Sequence, residues 1–381
     1  MIYLDNSATT RPYEEVLSSF LTVSQEFFGN PSSLHQLGEK ASSLLEKSRE
    51  QAASILEVDR EEILFTSGGT ESNNLAIKGI ARANRHRGNH IITTAVEHPS
   101  VYNAVLQLKD EGFDITILPV DRNGMIDTEY LKNALTQKTI LVSIMHVNNE
   151  VGTVQPIKEA GAIIKEYSRA FFHVDHIQGF GKVPLNIRQA KIDLLSLSAH
   201  KFHGLKGTGL LFIKKGLLLR EELAGGDQEA AKRSGTENVA GIVSMAKAMR
   251  MTVEQAHRIP ALSALRQQLI KTLTSHKKVT LVSPMENGAP HIICVSVPGL
   301  RGEVIVQALQ KESIYLSTTS ACSSKKQTIS RTIEAMACPS PTGKGSVRIS
   351  FSLSTTAKEI EMLMEAWNRT ILPLMEVIKS S

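Results

Sequence analysis

Apolar runs of strand length alternate with amphipathic runs of helix length through the first two thirds of the chain. The pattern predicts strands at residues 62–66, 90–95, 114–120, 140–146, 170–175, 193–197 and 208–213. It predicts helices between them at residues 71–84, 102–111, 129–135 and 157–167. Several strands are unbroken apolar runs, as expected where helices cover both faces of a sheet. The pattern therefore predicts an α/β fold with a mainly parallel seven-stranded sheet between helices.

From about residue 253 the pattern changes. A helix at 261–274 is followed by shorter strands, including one at 291–297, and by a final helix at 358–374. This indicates a smaller α+β domain. We predict an N-terminal arm at 1–15 that joins the small domain, a large domain at 16–252 and a small C-terminal domain at 253–381. Residues 323–346 are polar and poor in strand signal, so most of this stretch is predicted to be a mobile loop.

Composition and charge exclude several classes of protein. Of 381 residues, 41% are hydrophobic and 21% are charged, which argues against disorder, collagen and coiled coil. Forty-three Lys and Arg against 38 Asp and Glu leave a net charge of +5 that is scattered along the chain. Because a nucleic-acid-binding tail would appear as a basic block, we predict no direct nucleic-acid partner.

Cysteine usage and the N-terminus indicate the compartment. Cys294, Cys322 and Cys338 form neither a CxxC pair nor an even disulfide framework, which is typical of a reducing compartment. The N-terminus lacks the pattern of a signal peptide, and no apolar stretch approaches the length of a membrane span. We therefore predict a cytoplasmic protein without direct membrane contact, and we predict no metal site.

The segment TSGGTESNN follows the first predicted strand. Two glycines permit a tight turn, and Thr70 is a plausible N-cap for the helix that begins there. The exposed N–H groups of such a turn are suited to bind phosphate. An ordinary strand-to-helix turn with nothing bound is the alternative.

Lys201 belongs to the sequence SAHKF, which comes directly after the apolar strand at 193–197. Desolvation at a strand end lowers the pKa of a lysine and makes its amine nucleophilic. Ser198 and His200 flank it and can contact an anion. A surface lysine extended over apolar neighbours is the alternative interpretation.

Asp175 ends another apolar strand, in the sequence HVDHIQ. A carboxylate there can keep a ring nitrogen protonated, and Gln178 can donate a hydrogen bond nearby. A turn or N-cap aspartate is the alternative. Glu97-His98-Pro99 and the segment HVNNE, which contains Asn149, also stand at strand ends and carry the same two interpretations.

The combination of these features favours a cofactor site. A phosphate-type loop, an Asp, a Lys and a His all follow strands of one parallel sheet, whose ligands lie beyond the carboxyl ends of the strands. A lysine for covalent attachment, a carboxylate for a pyridinium nitrogen and a phosphate cradle are what pyridoxal 5′-phosphate (PLP) requires. Four unrelated features would otherwise have to coincide.

The chain also carries a series of motifs, in the order YLDNSATT, NPSSLH, TSGGTESNN, EHPS, MHVNNEVG, HVDHIQ, SAHKFHG, RSGTEN and TSACSS. Between residue 2 and about residue 360 this series closely resembles the NifS/IscS-type cysteine desulfurases, in the class V branch of the fold-type I PLP enzymes. The resemblance implies their fold, a large PLP-binding domain with a smaller C-terminal domain.

The resemblance also implies a role for each matching residue. Lys201 would hold the cofactor covalently, Asp175 would pair with its pyridine nitrogen and His98 would stack on its ring. Gln178 and Asn149 would lie near its phenolic oxygen. The implied phosphate-binding residues are Gly69, Thr70, Ser198 and His200, with Thr236 reaching the phosphate of the other subunit across a homodimer.

Two further residues would set the specific reaction. Cys322 lies in the small polar run SACSS, where a buried structural cysteine would be out of place, and it matches the family's nucleophile. Arg348 matches the arginine that binds the substrate carboxylate, for which a guanidinium is suited. Cys294, inside an apolar run, is predicted to be a buried filler. His176 stands where the family usually has a small residue, and its ring either crowds the cofactor or points away.

The activity implied by the resemblance is conversion of L-cysteine to L-alanine, with the sulfur loaded on Cys322 as a persulfide and passed to an acceptor protein. The acceptor would serve iron–sulfur clusters, tRNA thiolation or a thio-cofactor. A selenocysteine lyase, another class V enzyme such as an aminotransferase, and a non-catalytic sulfur-pathway scaffold are the alternatives.

Overall fold

The computed structural model describes residues 1–319 and 329–377. Its strands are Ile2–Tyr3 (β1), Ile63–Thr66 (β2), His90–Thr94 (β3), Asp114–Leu118 (β4), Thr139–Met145 (β5), Phe171–Asp175 (β6), Leu194–Ser198 (β7), Gly209–Ile213 (β8), Thr280–Leu281 (β9), Ile292–Ser296 (β10), Ile314–Tyr315 (β11), Ser317–Thr318 (β12) and Ser346–Ser350 (β13). Its α-helices are Glu14–Glu26 (α1), Gln36–Leu56 (α2), Gly69–Asn74 (α3), Ile80–Ala83 (α4), Pro99–Asp110 (α5), Thr128–Ala134 (α6), Ile157–Tyr167 (α7), Val239–Glu254 (α8), Ile259–Thr274 (α9), Gly302–Lys311 (α10), Arg331–Ala335 (α11), Ser340–Lys344 (α12) and Ala357–Val377 (α13).

A seven-stranded sheet forms the larger part of the fold, with the strand order β2-β8-β7-β6-β5-β3-β4. Strands β3 to β7 pair in parallel, and β8 runs antiparallel to both of its neighbours. The predicted α/β fold with a mainly parallel seven-stranded sheet is confirmed. The observed strands begin and end within two residues of the predicted bounds.

Both faces of this sheet are covered, which explains the unbroken apolar runs in the sequence. Successive side chains of a strand point to opposite faces, so Phe172 and Val174 belong to one buried cluster. Leu194 and Leu211 belong to a second cluster on the other face. All four side chains have no exposed surface.

The C-terminal part has its own core. Its four-stranded sheet has the order β12-β13-β10-β9 and is antiparallel. The fully buried Trp367 of α13 belongs to a cluster with residues of β10 and β13, and Ile2 and Leu4 of the N-terminus belong to it too. Strand β1 pairs in parallel with β11. The division of the chain at residues 15 and 252 stays a prediction.

Part of the polar stretch 323–346 does not match its prediction. Residues 323–328 lie outside the described residues, but the remainder contains α11 and α12, so the loop prediction is wrong there. Ser330 caps α11 by accepting a hydrogen bond from the Ile333 N–H at 3.2 Å. Ile333 and Met336 then pack with Cys294 in a buried cluster. These helices are too short for a periodic signal and depend on tertiary packing.

Helices α1, α2, α8 and α10 were not predicted. Among the helices of the described residues, none combines the length and the apolar character that crossing a bilayer requires. Location in the cytoplasm stays a prediction.

The covered sheet leads to a test of stability. Phe172→Ala removes a ring with no exposed surface from the main cluster, so the free energy of unfolding should fall by about 3–5 kcal/mol. Urea denaturation followed by circular dichroism measures this. The control is Phe28→Ala, whose ring is 69% exposed and whose loss should change stability by about 0.5 kcal/mol or less. Equal losses in both variants would contradict the two-sided burial.

Candidate active site

Asp175 and Lys201 lie at the same edge of the large sheet. Asp175 is the last residue of β6, and the parallel strand β7 places Ser196 beside it. Strand β7 ends at Ser198, and a single 3₁₀ turn, Ala199–Lys201, follows. Since ligands of open α/β sheets bind beyond the carboxyl ends of the strands, this edge is the expected place for a site.

The N-terminal arm completes this edge. The amine of Lys201 donates hydrogen bonds to the carbonyl oxygens of Ser7, at 2.5 Å, and Ala8, at 2.7 Å. The side-chain amide of Gln178 donates to the same Ser7 oxygen at 3.0 Å. The arm therefore brings Lys201 and Gln178 together. Sequence reasoning missed Ser7, although its position in the polar run after the first strand is a signal.

Beneath Lys201 lies a second lysine that sequence reasoning also missed. The amine of Lys182 donates to the main-chain oxygen of Lys201 at 2.9 Å, and its side chain is buried. Burial, together with the charge of Lys201, lowers the pKa of Lys182 to about 7. Close to neutral pH the Lys182 amine is therefore near its titration midpoint.

A chain of hydrogen bonds connects Asp175 with His98. The amide nitrogen of Asn73 donates to Asp175 Oδ2 at 2.8 Å and to the Ser100 hydroxyl at 2.9 Å. The Ser100 hydroxyl lies 2.8 Å from His98 Nδ1, which also accepts from the Ser100 N–H at 3.2 Å. Since Nδ1 accepts a hydrogen bond, the proton of the neutral ring is on Nε2. Neither Asn73 nor Ser100 was predicted.

Burial and neighbouring charges act in opposite directions on this pair. Burial raises the pKa of Asp175, while His98, the Ile177 N–H, Asn73 and Lys201 oppose that rise. Burial lowers the pKa of His98, with Asp175 opposing and with Lys201 and Arg331 adding to the decrease. The two groups stabilise each other's charged forms, so their titrations are linked.

The two glycines after β2 permit an unusual backbone conformation and a close approach to neighbouring side chains at the start of α3. Gly68 has a φ of 151°, a conformation that L side chains rarely adopt. A Cβ added to Gly69 would lie 2.2 Å from Ile177 Cδ1 and 3.3 Å from Ser198 Cβ. The structure thus places the predicted Gly69 and Ser198 in contact distance, with Thr70 exposed beside them. Main-chain N–H groups at such a helix start attract anions.

His200 and Thr236 are the two remaining residues that were predicted to bind the phosphate. His200 Nδ1 is 3.1 Å from the Thr9 hydroxyl, and burial lowers the pKa of His200 to about 4. Thr236 is exposed in the segment before α8. An ion pair of 2.7 Å between Arg233 and Glu71 of α3 connects that segment with the glycine turn. The reach of Thr236 to a second subunit stays a prediction.

Arg348 lies on β13, where its guanidinium contacts the N-terminal arm and the segment that follows β5. Its Nη2 donates to Asp5 Oδ1 at 2.8 Å, and its Nη1 donates to the main-chain oxygen of Asn149 at 2.9 Å. Its Nε is buried and has no hydrogen-bond partner within the described part of the chain. Asp5 also accepts from the Ser317 hydroxyl at 2.7 Å. Sequence reasoning missed Asp5.

The predicted nucleophile Cys322 lies outside the described residues. Cys294 is fully buried, as predicted, and burial raises the pKa of its thiol strongly. Cys338 is half-buried, and burial raises the pKa of its thiol too. Neither environment favours a reactive thiolate.

His176 turns toward another histidine. Its Nδ1 lies 2.8 Å from Nδ1 of His146, and its ring packs edge-on against Phe180. Both imidazoles are buried. Burial lowers the pKa of His146 to about 4 and that of His176 well below its ordinary value of 6.5, with Lys182 adding to the decrease for His176.

Unsatisfied polar atoms test whether PLP fits this site. Gln178 Oε1, Asn73 Oδ1 and Ser7 Oγ are buried without a hydrogen-bond partner among residues 1–319 and 329–377. Asn73 donates to Asp175, the Ser7 carbonyl accepts from Lys201, and Gln178 donates to that same Ser7 oxygen. Buried polar groups are almost always paired, so this cluster indicates a polar ligand. An amine, a buried carboxyl and a glycine turn around it fit PLP.

Comparison with known proteins identifies the family. Residues 2–363 match the family described as Aminotransferase class-V. A NifS/IcsS protein homolog from Lactobacillus delbrueckii subsp. bulgaricus is 46% identical, over 97% of this chain and 96% of its own length. The cysteine desulfurase IscS of Dictyoglomus turgidum is 43% identical over 99% of this chain and 96% of its own length. A solved structure of a NifS-like protein has a TM-score of 0.92 and 36% identity, covering 98% of this chain and 99% of that one.

The chain belongs to the class-V aminotransferase family, as the sequence resemblance implied. Its fold is the fold-type I fold of PLP enzymes. The protein is a PLP-dependent enzyme.

The buried histidine pair predicts how stability depends on pH. The folded pKa values lie below 6.5, so below that pH the unfolded chain binds protons that the folded chain excludes, and stability falls as pH decreases. Each such histidine contributes a slope of roughly 1.4 kcal/mol per pH unit between about pH 6.5 and its folded pKa. In His176→Ala the slope of unfolding free energy against pH should be smaller, as urea titrations at several pH values would measure.

His257→Ala is the control, because this histidine is exposed. It should leave the slope as in the wild type. A His176→Ala slope that equals the wild-type slope would contradict the buried neutral pair.

Proposed function

We propose that this enzyme is a cysteine desulfurase. It converts L-cysteine to L-alanine, forms a persulfide on Cys322 and passes the sulfur to an acceptor protein. The main support is the joining of Lys201, Asp175 and Gln178 at one sheet edge, in a chain that shares 43% identity with a cysteine desulfurase over nearly its whole length.

The cofactor would be held by residues that surround this edge. Lys201 would attach it, Asp175 would face its ring nitrogen and His98 its ring. The other proposed contacts are Gln178 and Asn149 near the phenolic oxygen, Gly69, Thr70, Ser198 and His200 at the phosphate, and Thr236 from the other subunit of a homodimer. Bound PLP supplies an acceptor for the negative charge that develops at the substrate Cα.

Arg348 would bind the substrate carboxylate. Asp5 and the Asn149 carbonyl each accept one hydrogen bond from the guanidinium, which fixes its plane. A guanidinium has five N–H donors, so donors remain for a carboxylate. The neighbouring Asp5 charge also reduces the net charge of this pocket, so that binding depends on geometry as well as charge.

Lys201 would move the proton at the substrate Cα. Its amine must be uncharged to accept that proton, and the partly buried site beside Lys182 disfavours two positive charges. The Ser7 and Ala8 oxygens hold the amine in place. A positioned general base of this kind contributes about 10²–10⁴-fold.

Cys322 would take the sulfur. Its thiolate attacks the sulfur of the substrate, so an S–S bond forms while the Cβ–S bond breaks. The electron pair of the broken bond stays on the carbon fragment, which is protonated to alanine. His98, which holds its proton on Nε2 in the neutral ring, is the proposed group for proton transfer to this fragment.

Alanine formation without any added keto acid tests the proposal against an aminotransferase. A desulfurase produces alanine and sulfide from cysteine and a reductant, whereas an aminotransferase needs the acceptor. Strict dependence on a keto acid would overturn the proposal. We further propose a homodimer and a cytoplasmic location.

Cys322→Ser should separate cofactor binding from sulfur transfer. The variant should keep the visible absorbance of bound PLP, because Cys322 is not among the proposed cofactor contacts, and should lose transfer of ³⁵S from labelled cysteine to acceptor proteins. Gel autoradiography with a panel of candidate acceptors measures this.

Cys338→Ser is the matched control, since its half-buried thiol has a raised pKa, and it should transfer sulfur as the wild type does. Full transfer by Cys322→Ser would refute the role of that thiol. The labelled member of the panel would identify the acceptor class.

A further inference from the structure

Helix α11 is joined to the segment that follows strand β5 of the large sheet. Ser330, the N-cap of α11, donates a hydrogen bond to the carboxyl group of Glu150. The next residue, Arg331, begins the helix. The start of α11 is therefore fixed to residues that follow the large-sheet strands.

The guanidinium of Arg331 makes two contacts with one short segment. Its Nη2 donates to the main-chain oxygen of Glu97. Its central carbon lies 3.5 Å from the centre of the Tyr102 ring, a cation–π contact. Glu97 and Tyr102 stand on either side of His98, which is the N-cap of α5. The Arg331 side chain thus spans the turn that carries His98.

We propose that Arg331 is a positioning residue for His98, because its guanidinium holds the Glu97–His98 peptide and the first turn of α5 in place. This inference rests on the proposed function, in which His98 acts at the cofactor. The Glu97 oxygen and the His98 N–H belong to one planar peptide group. A hydrogen bond to that oxygen restrains the plane, and therefore the direction in which the His98 side chain leaves the backbone.

Arg331 also acts on His98 through its charge. Within the described part of the chain, the charged groups that face His98 are Asp175, Lys201 and Arg331; Asp175 raises the pKa of His98, and the two cations lower it. Loss of the Arg331 charge should therefore raise the pKa of His98.

The groups that face Arg331 itself are Tyr102, Glu97 and Glu150. Burial raises the pKa of Glu97 to about 8 and raises that of Glu150 as well. Glu97 is therefore mostly uncharged at neutral pH, and the Arg331 cation is not cancelled by it. Among residues 1–319 and 329–377, the buried Arg331 Nε has no hydrogen-bond partner, which is consistent with a guanidinium held by its contacts with Glu97 and Tyr102.

Three variants separate placement from charge. Arg331→Met removes both the guanidinium contacts and the positive charge. Arg331→Lys keeps the charge but lacks the planar guanidinium. Tyr102→Leu keeps the Arg331 charge but removes the aromatic ring that the guanidinium contacts. Arg369→Met is the matched control, because Arg369 is exposed and pairs with Glu312, the residue that follows α10. Circular dichroism melting of each PLP-loaded full-length variant shows whether it is folded.

The first readout is the titration of His98 in the PLP-loaded protein, followed by NMR with ring-labelled histidine and assigned with His98→Gln. In Arg331→Met the midpoint should rise by on the order of half a pH unit or more, while Arg331→Lys and Arg369→Met should titrate as the wild type does. A purely structural role would not produce this dependence on charge.

The second readout is the pH profile of alanine formation. In Arg331→Met, kcat should fall by on the order of tenfold to a hundredfold, as for a displaced catalytic group, with KM for cysteine changed less. Arg331→Lys and Tyr102→Leu should lose part of the rate. An Arg331→Met protein that is folded and has wild-type kcat and a wild-type His98 midpoint would overturn the proposal.

The two proposals fail in different ways. A wild-type protein that makes no alanine from cysteine would refute the proposed function. The His98 titration needs no turnover, so it still decides whether Arg331 acts on His98. A changed midpoint with unchanged kcat would refute the positioning role in catalysis.

Discussion

The hydrogen bonds from the Lys201 amine to the Ser7 and Ala8 carbonyls join distant parts of the chain at one point. Lys201 is set by the end of β7, whereas Ser7 belongs to an arm whose first strand pairs with β11. The Ser7 N–H in turn donates to the Ser350 hydroxyl at 2.9 Å. The large sheet, the arm and the C-terminal sheet therefore all determine the position of one amine.

The packing of the two sheets and the arm around the Lys201 amine also affects the pKa values of the site residues. Burial alone raises the pKa of Asp175 and lowers the pKa values of Lys182 and His98, so it favours the uncharged form of each group. The observed contacts oppose the effect of burial on the pKa of Asp175, whereas at His98 the Asp175 charge opposes that effect and the Lys201 and Arg331 charges add to it. Because the groups are linked, a change at any one of them alters the charge of the others, and the site behaves as one titrating unit.

Much of the fold and of the site could be predicted from residue order. Apolar runs such as 140–146 and 170–175 identify buried strands, because a strand covered on both faces has no polar positions. The ends of such strands identify Asp175, Lys201 and His98 as candidate site residues, since parallel strands bring their carboxyl ends to one edge of the sheet. The motifs added Arg348 and Cys322. Helix α11 was missed, because a five-residue helix held by Ile333 packing has no periodicity to read.

Local sequence thus determined the strands of the large sheet, where each of them ends and which side chains stand at those ends. Only the tertiary structure decided the partners: Asn73 between Asp175 and Ser100, Asp5 on Arg348, and Arg331 across the turn of His98. Strand ends depend on neighbours along the chain, and their signal is local. A hydrogen bond between residues 5 and 348 depends on how two sheets and an arm pack, which no local pattern encodes. For the same reason His176 could be recognised as unusual from the sequence, but its pairing with His146 could not.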